Sequence, residues 1–153
     1  MSEKIKTYDE IEEISKAMKA EGKRVGFVTG SFDLMHPGHC RYLQACKKEC
    51  DFLIAAVSAD AAITKRKGEM RPHNPQADRA ELIANLESVD AVLMVAEQDK
   101  SKLGLLEKIK PNYYFKSDEF KDNELQRGYD SVGEVRFIDG YRGGGTARVR
   151  LND

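Results

Sequence analysis

His36 and His39 are two of only three histidines in a chain of 153 residues, and they frame Pro37 and Gly38. They follow the turn Gly30-Ser31-Phe32-Asp33, which itself follows the apolar run Val25-Gly26-Phe27-Val28. Pro37 suits the first turn of a helix, where its missing N–H would have no partner anyway. A helix beginning there turns free backbone N–H groups and the positive end of its dipole toward the preceding loop. Two imidazoles beside such an end can donate hydrogen bonds to an anion, and Gly30 and Gly38 leave room for a phosphate to approach the backbone. One histidine at a helix start is ordinarily a cap or a surface residue. A pair, placed after a buried strand and a Gly-x-Phe-Asp turn, points to phosphate chemistry. Asp33 has two readings, orienting a histidine or capping the turn.

A second cluster is basic. Lys65-Arg66-Lys67-Gly68-Glu69-Met70-Arg71-Pro72 reads as a loop, and Arg79 lies on the helical pattern beyond it. By composition alone such a run is a solvated charged face, which is the reading for Lys65 and Arg66. Cys40, Cys46 and Cys50 stand within eleven residues, an odd number that is no disulfide framework. Cys46 and Cys50 are one helical turn apart, the spacing of a metal pair, but His73 is the only candidate third ligand elsewhere. They read better as buried thiols on a helix packed against a sheet. A metal-binding or redox-sensing protein built on these cysteines and His73 stays as an alternative.

These residues need a scaffold, and the periodicity supplies one. Residues 8–20 carry Ile11, Ile14, Ala17 and Met18 at helical spacing, acidic residues early and lysines late, with Gly22 as the stop. A strand over 25–28 is followed by a helix over 37–50 with Tyr42, Leu43, Cys46 and Cys50 on one face. Phe52–Val57 is a continuous apolar run of strand length, as in a parallel sheet covered on both faces. A short helix after Ser58, a helix over 76–87, a strand over 91–95, a helix over 99–109, and strands over 113–115 and 134–138 complete the alternation. The expected fold is α/β: a single Rossmann-like domain with a five-stranded parallel sheet and helices on both faces. Residues 1–22 form its N-terminal helix, 23–138 the α/β core, and 139–153 a Gly-rich turn and C-terminal segment. In such a sheet the ligand lies beyond the carboxyl ends of the strands, where the strand order reverses. That is where the two histidines fall.

Composition narrows the classes. Lys and Arg total 25 against 26 Asp and Glu, so bulk charge is not a route to nucleic acid or an anionic membrane. Hydrophobic residues at 41% are too many for a disordered chain, and the length allows a core without disulfide or metal staples. With no long apolar run and a charged start, the expectation is a reduced, cytoplasmic protein with no nucleic-acid or membrane partner. The charges are unevenly placed. Lys65, Arg66, Lys67, Arg71 and Arg79 gather on one segment and Arg142, Arg148 and Arg150 on another.

His36-Pro37-Gly38-His39 after Gly30-Ser31-Phe32-Asp33 resembles the His-x-Gly-His signature of the cytidylyltransferase-like nucleotidyltransferases. The resemblance runs from about Lys23 to Phe137 and takes in Leu53 to Asp60, Lys67-Gly68, Arg71-Pro72, Asp78-Arg79 and Val89-Asp90. Among branches it is most similar to the adenylyltransferases of heptose 1-phosphate, and more distantly to the glycerol-3-phosphate cytidylyltransferases. The resemblance implies transfer of a nucleotidyl group from a nucleoside triphosphate to a phosphate monoester, with release of pyrophosphate. It implies ATP and a sugar phosphate as substrates, or alternatively CTP with glycerol 3-phosphate or another small phosphorylated alcohol. It further implies Mg²⁺ carried mainly by the triphosphate, no metal ligands of the protein's own, and a homodimer.

Residue by residue, it implies catalytic roles for His36, His39, Lys67 and Arg79. The nucleotide would meet Thr29, Gly30, Ser31, Phe32, Asp33, His36, Gly38, His39, Lys116 and Thr146, and the acceptor Asp33, Lys67, Arg71, Arg79 and Glu119. Two stretches depart from the pattern. Lys116-Ser117-Asp118-Glu119-Phe120 stands where the heptose branch carries Lys-Gly-Gly-Asp-Tyr. Arg142-Gly143-Gly144-Gly145-Thr146-Ala147-Arg148 replaces a Ser/Thr-rich turn. A nucleotide-binding module without catalysis is therefore a further alternative.

Overall fold

Thr7 starts the first helix in this computed structural model, which describes residues 2–99, 102–117 and 132–139. Its hydroxyl accepts from the Glu10 amide while the Glu10 carboxylate accepts from the Thr7 amide, a reciprocal cap that satisfies donors the helix itself leaves open. Helix α1 (Tyr8–Ala20) follows, and Gly22, at φ +79°, takes the left-handed turn that ends it. A two-residue strand, β1 (Ile5–Lys6), precedes it. The remaining elements are β2 (Val25–Gly30), α2 (Pro37–Lys48), β3 (Phe52–Val57), α3 (Asp60–Lys67), α4 (Gln76–Ala84), β4 (Ala91–Met94), α5 (Lys102–Ile109), β5 (Tyr113–Ser117) and β6 (Glu134–Ile138).

The six strands form one parallel sheet in the order β1-β4-β3-β2-β5-β6. The five expected strands are all present, and β1 adds a sixth at the edge through Ile5↔Val92 and Lys6↔Leu93. Two residues are too few to show a period of two, so nothing in the sequence announced it. The chain also departs from expectation at 65–67. These residues are the last turn of α3 rather than loop, and Gly68 at φ +104° ends the helix.

Alternation along the strands sends side chains to two cores. Val28, Leu53, Ala55 and Val57 join Tyr42, Leu43 and Cys46 of α2 and Ala80 and Ile83 of α4 on one face. Val25, Phe27, Ile54 and Ala56 join Ile11 of α1 and Leu105, Leu106 and Ile109 of α5 on the other. Both faces of the sheet are thus covered, as the apolar run of β3 requires. Cys46 and Cys50 lie in the first core; burial pushes the Cys46 thiol well up, and the Cys50 thiol up to about 11. Gly26 is required by close approach, since a Cβ there would sit 2.4 Å from Phe115 and 2.8 Å from the Cys50 sulfur.

Candidate functional site

Strand order reverses between β2 and β5. From β2 the chain moves through β3 to β4 on one side, then returns to place β5 and β6 on the other. The crevice beyond the carboxyl ends of β2 and β5 is therefore the expected ligand position. Thr29 and Gly30 end β2 there, Lys116 and Ser117 end β5, and α2 begins just above them.

His36 is the N-cap of α2. Its Nδ1 accepts from the Gly38 amide at 3.0 Å, and the Nδ1 of His39 accepts from the His36 amide at 3.1 Å. Each imidazole thereby does the work that Ser and Glu do in an ordinary capping box. Because both Nδ1 atoms accept, both neutral rings carry their proton on Nε2. The ring centroids are 4.1 Å apart. Burial holds the His36 pKa below its usual value. His39 is pushed down to about 4, first by burial and then by the adjoining His36, with Lys67 adding to the effect. At neutral pH the pair consists of two neutral donors on a helix start.

Gly30 makes room for a side chain. A Cβ there would meet the Phe32 ring at 2.8 Å, so the space expected for a phosphate is filled by Phe32, whose ring also packs edge-on to His39. Phe32 and Leu34 both adopt positive φ, 52° and 47°, flanking Asp33. This left-handed pair is unfavourable for side chains with a Cβ. It accompanies a sharp turn in which the Asp33 carboxylate is wholly buried.

Asp33 accepts three hydrogen bonds. Oδ2 takes the His73 amide at 2.8 Å and Arg71 Nε at 3.1 Å, and Oδ1 takes the Asn74 amide at 3.1 Å. Burial alone would raise its pKa, but these donors outweigh that and hold the carboxyl below its ordinary range. Of the two readings of Asp33, neither describes the contact: it fastens the 71–74 segment. Arg71 is accordingly buried, and its carbonyl accepts from the Thr64 hydroxyl at 2.6 Å.

Lys67 is exposed at the end of α3, near enough for its charge to act on His39. Thr29 Oγ1 lies 3.2 Å from the Tyr114 hydroxyl, and the Lys116 ammonium sits over the Tyr114 ring at 5.1 Å from its centre. Arg79 is fully buried within α4, bonded to Asn74, Ser31 and Asp60. Glu119 and Thr146 lie outside the described residues, as do Arg142 and Arg148.

Three residues near the carboxyl ends of the strands were not singled out as functional by type or spacing. Arg66, assigned to the solvated face, donates to the Ser31 hydroxyl at 2.9 Å. Gln76 donates from one amide nitrogen to the carbonyls of Val57 and Val95, closing the ends of β3 and β4. Asp60, at the start of α3, pairs with Arg79. Only Asp60 carried a signal, as the end of the Leu53–Asp60 stretch.

The profile of the cytidylyltransferase-like family matches residues 27–141. The "Bifunctional protein HldE" of Nitratiruptor sp. is 42% identical over 145 residues, covering 95% of this chain and 31% of that protein. The "Bifunctional protein HldE" of Aliarcobacter butzleri is 38% identical over 138 residues, covering 89% of this chain and 29% of that protein. The chain thus spans about three tenths of the length of these curated relatives. Among solved structures, a lipopolysaccharide core biosynthesis protein from Thermoplasma volcanium superposes with a TM-score of 0.62 at 26% identity, covering 77% of this chain and all of that one. No helix among the described residues is long and apolar enough to cross a membrane.

Proposed function

The chain belongs to the cytidylyltransferase-like family, and we propose that it transfers a nucleotidyl group from a nucleoside triphosphate to a small phosphate monoester, releasing pyrophosphate. The observation that carries this reading is the reciprocal His36–His39 cap at the switch point of the sheet. It sets two neutral imidazoles, each with its proton on Nε2, side by side at a helix start, which suits a highly anionic ligand.

In the proposed reaction an oxygen of the acceptor phosphate attacks the α-phosphorus. The bond from that phosphorus to the bridging oxygen breaks, and pyrophosphate leaves with the electron pair. The acceptor is already an anion, so no strong base or covalent intermediate is needed. The enzyme's task is alignment and stabilisation of charge on the phosphoryl oxygens. His36 and His39 donate to those oxygens, Lys67 and Lys116 supply positive charge from opposite sides, and Thr29 and Ser31 border the nucleotide. Phe32 and Gly38 act from behind, the one packed on His39 and the other bonded to His36.

Mg²⁺ fits this site as a companion of the triphosphate. The nearby carboxylates are engaged, Asp33 by Arg71 and Asp60 by Arg79, so phosphate oxygens rather than a protein cage would hold the ion. When bound, it neutralises charge on the leaving pyrophosphate.

ATP and a heptose 1-phosphate are the substrates we favour. Support comes from the likeness of residues 67–90 to the heptose branch and from the similarity to the HldE proteins and the lipopolysaccharide core biosynthesis protein. The same reading includes a cytoplasmic location and a homodimer, the latter checked by light scattering. A thermal-shift panel of ATP, CTP, GTP and UTP with Mg²⁺, followed by phosphorylated acceptors, tests the substrate assignment. A shift largest for ATP and increased by a sugar 1-phosphate is expected. A shift confined to CTP would replace the nucleotide.

A further inference from the structure

Arg79 is the largest fully buried side chain among the described residues. Its Nη1 donates to the Ser31 carbonyl at 2.7 Å, Nε to the Asn74 carbonyl at 2.9 Å, and Nη2 to Asp60 Oδ1 at 2.5 Å. A guanidinium with no exposed surface needs compensating charge and acceptors, and these contacts supply one carboxylate and two carbonyls. The contacts belong to three different segments: the loop after β2, the start of α3 and the loop before α4.

Asp33 works on the same loop from the other side. Asn74 is held through both of its backbone groups, its N–H by Asp33 and its carbonyl by Arg79. Ser31 and Asp33 lie two residues apart on one turn, so both posts tie 71–74 to the loop that leads into His36. The segment carries Arg71 and lies beside the histidine pair's own loop.

We propose that Arg79 is a positioning residue which, together with Asp33, fixes the 71–74 segment as a rigid wall of the crevice without touching the ligand. The proposal rests on the nucleotidyl-transfer reading for its kinetic consequence, whereas the lock itself is a property of the fold. Arginine is suited to the task because its planar fork reaches three acceptors in fixed directions. Lysine keeps the charge but offers donors from a single nitrogen. Loss of the lock lets the wall shift, and a displacement of about 1 Å near a reacting centre lowers rate on the order of a hundredfold.

The test compares Arg79→Lys and Asp60→Asn with the parent protein, the second variant serving if the first does not fold. Two quantities are read: hydrogen exchange at the His73 and Asn74 amides, and steady-state pyrophosphate release. In Arg79→Lys those two amides exchange at least about tenfold faster while the β3 amides do not change. In the same variant kcat falls about 30- to 100-fold and KM for the nucleotide moves less than about threefold. Asp60→Asn moves both in the same direction by less. Unchanged protection at His73 and Asn74 in a folded variant overturns the proposal. So does faster exchange with undiminished kcat, or a large rise in KM with protection intact, which would make Arg79 a ligand contact. If the parent protein releases no pyrophosphate from any substrate pair, the functional reading fails, and the exchange arm alone decides the lock.

Discussion

The backbone amide of His36 donates to Nδ1 of His39, and the Nδ1 of His36 in turn accepts from the amide one residue beyond Pro37. The two rings that the nucleotidyl-transfer reading assigns to the phosphates are therefore also the groups that start helix α2. A change at either position alters both the chemistry and the helix cap, a coupling that ordinary Ser or Asp caps do not have.

This coupling gives a pH signature. The unperturbed histidine value is 6.5, and in the folded protein His39 is held at about 4 and His36 is lowered in the same direction. Between those values the unfolded chain binds more protons than the folded one, so stability rises with pH in that window. It should be complete above pH 6.5 and fall as pH drops toward about 4, by on the order of 3 kcal/mol for His39 alone. Urea denaturation at a series of pH values checks this, and His39→Gln should flatten the slope. A stability independent of pH across that window would refute the burial of a neutral His39.

Asp33 should matter to stability more than to charge balance. Asp33→Ala leaves the buried Arg71 Nε and the half-buried amides of His73 and Asn74 without their acceptor. Breaking a buried pair from one side costs about 3–5 kcal/mol. Chemical denaturation should show a loss of that size, and one under about 1 kcal/mol would mean that water replaces the carboxylate.

Two glycines should behave oppositely. Gly26→Ala places a methyl 2.4 Å from Phe115 and 2.8 Å from the Cys50 sulfur, and overpacking of this kind costs about 1–3 kcal/mol. Gly104→Ala, at an exposed position of α5, meets nothing within 4 Å and gains helix propensity, about 1 kcal/mol. Thermal unfolding should rank them below and above the parent protein respectively.

The sequence carried the parts of this protein that are local. The His-x-Gly-His turn, the helices over 8–20 and 37–48 and the apolar strands are written in neighbouring residues, and their periodicity survives folding. What could not be read depends on contacts far apart along the chain. The partners of Asp33 lie 38 to 41 residues away, and no local pattern distinguishes them from solvent. Arg79 presents the same difficulty. A charged residue in a helix reads as a ligand or a wet face, yet here it stands beside Ala80 on the buried side of α4. Gly30 was legible as a need for space, while the occupant, Phe32, was not.

Nucleotidyl transfer at the histidine pair is read out by pyrophosphate release with Mg²⁺ across nucleoside triphosphates and phosphorylated acceptors. Turnover is expected with at least one pair, ATP with a sugar 1-phosphate foremost. Both His36→Ala and His39→Ala should lower that turnover by about two to three orders of magnitude. Folded protein that releases no more pyrophosphate than the His39→Ala variant, with every pair, would contradict it.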